Sequence, residues 1–217
     1  SGAGPCPPAT GGEAPAADVL WRIMEEYDGK RADLAALRGC LTDVEYSTAL
    51  AEFNRTGEVR VASQKAVACK RGVPVALLGG PLEQRDSCLF ELVNRFGGEI
   101  VLDGTESGER TMPARFNRRD SGKDDPFEEL AACYFGHIPD VFRRPNSGLY
   151  KWLGHEINLR GIDGVLLVRH VWCDKWHAEV SRLKEWLKIP VLDLDLDGES
   201  AMARNSAKIQ AFMEALA

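Results

Sequence analysis

The apolar positions change their spacing at Gly72. Before it, Val19, Ile23, Tyr27, Leu34, Leu37 and Leu41 recur at helical intervals behind Asp18, a favoured N-cap, with interruptions at Gly29 and Gly39. Thr42, followed three residues later by Glu45, has the form of a capping box and opens a second helix to about Phe53. A third is expected from Val59 to Lys70. After Gly72 the pattern is that of buried strands. Val73-Pro-Val-Ala-Leu-Leu is a continuous apolar run ended by Gly79-Gly80-Pro81, a strand followed by a tight turn. Leu89, Leu92, Val93 and Phe96 give a helical stripe stopped by Gly97-Gly98, and Glu99–Leu102 reads as the next strand, ending at Asp103-Gly104. This is a β-α-β unit.

From Thr105 to Pro126 the chain is polar and irregular, longer than the roughly two to six residues of an ordinary strand-to-helix loop. Helices are expected at Phe127–Phe135 and Gly148–Asn158. Gly164–Val168 is a strand running into His170-Val-Trp-Cys-Asp174. An amphipathic helix with Trp176, Val180, Leu183 and Leu187 follows, then a strand at Val191–Leu196 and a helix at Ala203–Leu216. Alternation of this kind implies an α/β fold, a flavodoxin-like parallel sheet of about four strands covered by helices, with an N-terminal helical cap. The expected divisions are a flexible tail at 1–17, the helical region at 18–71 and the α/β domain at 72–217. As an expression remnant or the end of a linker, the tail leaves room for the native chain to begin before Ser1. Ligands of such sheets sit outside the carboxyl ends of the strands. Chemistry is therefore expected at Gly79–Pro81, Asp103–Arg110, His170–Asp174 and Asp193–Asp197.

Composition narrows the function classes. The 217 residues are 44% hydrophobic and 28% charged, as in a globular domain, and 27 basic against 33 acidic residues leave a formal charge of −6. That balance argues against a nucleic-acid or anionic-membrane binder. No apolar run reaches the roughly 18 residues of a membrane span, and the expected location is cytoplasmic. Six cysteines, Cys6, Cys40, Cys69, Cys88, Cys133 and Cys173, are scattered without a CxxC pair, unlike a disulfide scaffold or a compact zinc module.

Cys173 stands out by position, between the carboxyl end of a strand and the start of a helix. A thiolate is stabilised there, which suits a metal ligand or a nucleophile, while packing is the alternative. His170, Cys173 and His177 have a spacing compatible with zinc, against a capping or surface role for the histidines. Arg110, Arg115, Arg118, Arg119 and Lys123 share one loop with a single acid, Asp120, and fit either a phosphate-bearing ligand or plain solvation. Asp193, Asp195 and Asp197 lie on one face of a strand, as a Mg²⁺ site or as charge that discourages edge pairing. The phosphate-loop pattern and the GxSxG elbow are both absent.

Several segments taken together resemble the D-component family of 2-hydroxyacyl-CoA dehydratases and benzoyl-CoA reductases, from about Val73 to Ala217. They are Leu77-Leu-Gly-Gly-Pro-Leu, Gly98-Glu-Ile-Val-Leu-Asp ending in Gly108-Glu-Arg110, Ile162-Asp-Gly-Val with Trp172-Cys-Asp, and Lys188-Ile-Pro-Val-Leu-Asp-Leu-Asp-Leu-Asp. The resemblance implies an iron–sulfur subunit with a [4Fe–4S] or related cluster held between two flavodoxin-like domains near an acyl-CoA pocket. It further implies a second family subunit supplying the paired domain, and an ATP-dependent activator protein that delivers a low-potential electron for ketyl-radical chemistry. Cys173 matches the family's cysteine after the third strand of this domain and is the first candidate ligand, with Cys88 and Cys133 behind it. Asp103-Gly-Thr-Glu-Ser-Gly-Glu-Arg110 corresponds to a segment in which the family often carries a cysteine, and Glu106 falls at that position. Gly79, Gly80, Glu106 and Ser107 are the expected pocket residues, and Arg110, Arg115, Arg118 and Arg119 the expected anion-binding group. The alternative is a non-catalytic interaction or assembly subunit that keeps the fold and has lost the cluster.

Overall fold

The computed structural model describes residues 15–61, 72–118, 125–197 and 201–217, apart from the side chains of Gln84 and Met202. Four strands, β1 (Val73–Gly79), β2 (Gly98–Gly104), β3 (Gly164–Arg169) and β4 (Val191–Asp195), form one parallel sheet in the order β2-β1-β3-β4. β1 and β3 are buried on both faces, which is why their sequences are unbroken apolar runs instead of alternating ones. Alternate residues serve two cores. Val75, Leu77, Leu166 and Val168 pack beneath α3 (Cys88–Arg95) and α7 (Ala201–Leu216), through Val93, Ile209 and Met213. Ala76, Leu78, Val165 and Leu167 pack on the opposite side against α5 (Ser147–Arg160) and α6 (Asp174–Trp186), through Leu149, Leu153, Trp176 and Leu183. Burying each such leucine is worth about 2 kcal/mol, so the two layers hold the sheet from both sides.

α1 (Ala17–Ala36) and α2 (Asp43–Thr56) form the N-terminal cap, with their own cluster of Leu34, Tyr46, Leu50 and Phe53. α2 begins at the expected capping box, in which the Thr42 hydroxyl accepts from Glu45 N and the Glu45 carboxylate accepts from Thr42 N. Two expectations for α1 are corrected. Ala16 is its N-cap, with Asp18 in the first turn, and the helix runs unbroken through Gly29. The cost of a helical glycine, about 1 kcal/mol, is offset by the buried Trp21, Met24 and Leu34 and by the Asp28–Arg31 ion pair. Of the helix expected at Val59–Lys70, Val59–Val61 are irregular and the rest lies outside the described residues.

The cap also closes the free edge of β2. The Asp43 carboxylate accepts from Ile100 N at 3.0 Å, and the Arg38 guanidinium donates to Ile100 O at 2.8 Å. On the same strand Arg160 donates to Val101 O at 2.6 Å. The stretch expected as a helix at Phe127–Phe135 is α4 (Pro126–Ala131) continued by a wider π-type turn, Ala132–His137.

Candidate functional site

The chain leaves β1 toward β2 on one side and reaches β3 on the other, so the switch in strand order falls between the carboxyl ends of β1 and β3. A crevice is expected there on topology alone. Gly79 and Gly80 lie buried at that end of β1. Gly79 has φ +146°, and a Cβ on it would stand 1.8 Å from Val168 O, so β1 and β3 come this close only because the residue is glycine. A Cβ on Gly80 would lie 3.9 Å from both the His170 and Trp176 rings, placing those two side chains over the turn.

One wall is the loop after β2. Glu106 N donates to Gly80 O at 3.3 Å, and the Ser107 hydroxyl accepts from Leu82 N at 3.0 Å, which ties this loop to the turn after β1. The expected pocket residues Gly79, Gly80, Glu106 and Ser107 are thus brought together. Glu106 is engaged in two contacts. Its carboxylate accepts from Trp176 Nε1 at 3.4 Å and lies 3.8 Å from the Arg110 guanidinium.

The other wall follows β3. Cys173 occupies the N-cap position of α6, half-buried against the core beneath it, and its backbone N–H donates to His170 O at 2.9 Å. Trp172, immediately before it, is 89% exposed. The remaining cysteine candidates differ. Cys88 opens α3 and donates its S–H to Arg85 O, and burial together with the Asp86 carboxylate raises its pKa. Cys133 lies in the π-type turn and donates to Glu129 Oε1 at 3.4 Å. Burial and that carboxylate push its thiol up to about 11.

The histidine and aspartate constellations have other work. His170 places one ring nitrogen 3.4 Å from Asp197 Oδ1 and the other 3.3 Å from Pro81 O. Asp193 is held by both arms of Arg169, Asp195 accepts from Asp197 N, and Asp197 accepts from Val171 N. Among the described residues no three His, Cys, Asp or Glu side chains are grouped to hold an ion.

The arginine loop is divided. Arg110 is 1% exposed and its guanidinium is clamped inside the fold, donating to Gly104 O at 2.9 Å, Pro139 O at 2.9 Å, Gly79 O at 3.3 Å and the Asp140 carboxylate. It also lies over the Trp176 ring, 5.3 Å from the centroid. Arg115 and Arg118 lie elsewhere, beside α1, where Arg118 stacks on Trp21. Arg119 and Lys123 are outside the described residues. The separation has a physical cause: the short helical turn Glu109–Thr111 carries Arg110 inward before the loop emerges.

Sequence reasoning missed Asp140 and Glu109. Glu109 binds Arg38 at 3.0 Å, Arg160 at 3.0 Å and Asp103 N at 3.1 Å, joining the cap, α5 and the end of β2. Neither acid has a spacing that marks it, because the partners lie far apart in the chain.

A model of the family described as 2-hydroxyglutaryl-CoA dehydratase, D-component, matches residues 22–216. The chain belongs to that family. No curated protein matches the sequence. Within this D-component chain the first family segment noted above, Asp103–Arg110, is joined through Glu106 to Trp176 of the helix that Cys173 caps. No helix among the described residues is long and apolar enough to cross a membrane.

Asp103, at the start of that segment, is 2% exposed and accepts from Thr105 N and Thr105 Oγ1. Burial raises its pKa, with the Thr105 hydrogen bonds and Arg38 opposing and Glu109 reinforcing. A carboxyl raised in this way favours the fold below its unfolded pKa, and that contribution is lost as pH rises through the folded value. Asp103→Asn keeps an acceptor for Thr105, so the variant should gain on the wild type between pH 4 and pH 7. Thermal unfolding of both proteins at the two pH values measures this. A gap that does not move with pH would contradict it.

Proposed function

We propose that this chain is a component of a 2-hydroxyacyl-CoA dehydratase or related acyl-CoA enzyme, and that it contributes Cys173 as one ligand of an iron–sulfur cluster completed by a paired domain. The observation that carries the reading is the placement of Cys173. It is a half-buried sulfur at the N-terminus of a 13-residue helix, on the crevice at the switch point. From that position the sulfur would donate to iron from one side of the site.

The residues present fit one ligand of such a cluster. Glu106, at the position of a family cysteine, offers a hard carboxylate already engaged by Trp176 and Arg110, and is a poor donor to an iron–sulfur centre. In this reading further thiolates come from the second family subunit, and exposed Trp172 supplies apolar surface for it beside Cys173. When bound, the cluster supplies one-electron transfer, with the electron arriving from an ATP-dependent activator. The chain's own contribution is to hold the sulfur in place, exclude water through the Trp176 layer beneath it, and fix the two crevice loops to each other.

A second reading is favoured by Glu106 itself: an assembly subunit that keeps the fold without a cluster. Iron and acid-labile sulfide, measured after anaerobic purification of the chain alone and with its partner subunit, separate the two. The expected result is near-stoichiometric iron and sulfide in the complex, falling at least about tenfold in Cys173→Ala. Absence of iron and sulfide from both preparations would leave the assembly reading.

A further inference from the structure

On the cap side of the molecule a cavity of about 410 Å³ lies between α1, Tyr46 of α2, the loop at 109–115 and α5. Its size is within the range of small-molecule sites. Leu34, Ala35, Met112, Pro113 and Trp152 give it apolar walls.

Two polar groups on it lack partners. Tyr46 is 4% exposed, yet among the described residues its hydroxyl has no hydrogen-bond partner, and no fully enclosed side-chain oxygen is left unpaired, so the hydroxyl opens onto the cavity. Arg115, at the mouth, has no partner among the described residues either. Every other charge lining the space is matched. Asp28 pairs with Arg31, Glu156 with Arg160, and Glu109 with Arg160 and with Arg38 just outside the lining. The cavity thus presents one uncompensated cation, one buried hydroxyl and an apolar body.

We propose that this cavity binds a small organic carboxylate whose apolar part lies against Met112, Pro113 and Trp152, with its carboxylate on Arg115 and a hydrogen bond from Tyr46. A guanidinium and a hydroxyl donor both favour an anion acceptor, and the apolar walls reject a bare inorganic one. Tyr46 remains a neutral donor throughout the physiological range, because burial and the nearby Glu109 push its pKa up to about 12.

The test is a calorimetric titration of the full chain with 4-phenylbutyrate, its uncharged amide and inorganic phosphate. The carboxylate is expected to bind about tenfold or more tighter than the amide, in line with a charge-assisted hydrogen bond. Arg115→Ala should abolish that preference, and Tyr46→Phe should weaken both organic probes about threefold to tenfold. Tyr46→Phe removes no intramolecular hydrogen bond, so its unfolding midpoint should match the wild type and keep the comparison valid. Equal binding of acid and amide, phosphate binding as tightly as 4-phenylbutyrate, or affinities untouched by both substitutions would overturn the proposal, as would no binding of any probe. None of these outcomes bears on iron content, so this inference stands or falls apart from the dehydratase reading.

Discussion

Arg110→Met is expected to destabilise the protein by about 3–5 kcal/mol, the range found when one partner of a buried ion pair is removed. Its side chain is fully enclosed and joins three segments distant in sequence: the end of β1 through Gly79, the loop after β2 through Gly104 and Glu106, and the approach to α5 through Pro139 and Asp140. Methionine matches much of the volume but leaves three carbonyls without this donor and the Asp140 carboxylate without its counter-charge, held only by Phe142 N. Lysine should recover little, because a point charge cannot span donors aimed in several directions as the planar guanidinium does. Urea unfolding of the three proteins measures the effect. A loss below about 1 kcal/mol for Arg110→Met would show that these groups find water or other partners.

Gly79→Ala should be as damaging or worse, at about 4 kcal/mol or more, a size reached by few single substitutions. The residue combines a positive φ with a neighbour in the way: the alanine Cβ would fall 1.8 Å from Val168 O, so the two central strands would have to separate. Gly161 offers an internal comparison. It has φ +61° and nothing within 4 Å of its Cβ position, so Gly161→Ala bears only the backbone penalty, about 1 kcal/mol. Measured side by side, the difference between the two variants isolates the steric part. Equal losses would mean that the strands can yield.

Both sites clarify what the sequence reveals. The strands were legible because a parallel sheet buried on both faces writes itself as runs such as Val73–Leu78 and Gly164–Val168, and the switch point follows from their order. The Thr42–Glu45 capping box was legible because its partners are three residues apart. The fate of the arginines was not. Arg110 and Arg115 carry the same charge in the same loop, and only the turn at Glu109–Thr111 decides that one is buried against Asp140 while the other faces solvent. The break expected at Gly29 failed for a related reason, since the apolar face of α1 and a contact between Asp28 and Arg31 outweigh a local propensity. The cavity beside Tyr46 left no trace in the pattern, because a hydroxyl without a partner is a property of the assembled cap.

The cover over β2 bears on how the chain comes into being. An uncovered strand edge invites another chain to pair with it. Here the edge at Ile100 is met by Asp43 and Arg38, which imitate a neighbouring strand with one acceptor and one donor. Both lie earlier in the sequence, so in vectorial synthesis the cover leaves the ribosome before the edge it protects. The sheet, in contrast, cannot close until β3 arrives to pair Gly164 with Val75. During that interval a β-α-β fragment waits with one side of β1 open, but its outer edge is already shielded. Nascent copies on neighbouring ribosomes are thereby denied one of the two edges through which they would otherwise join.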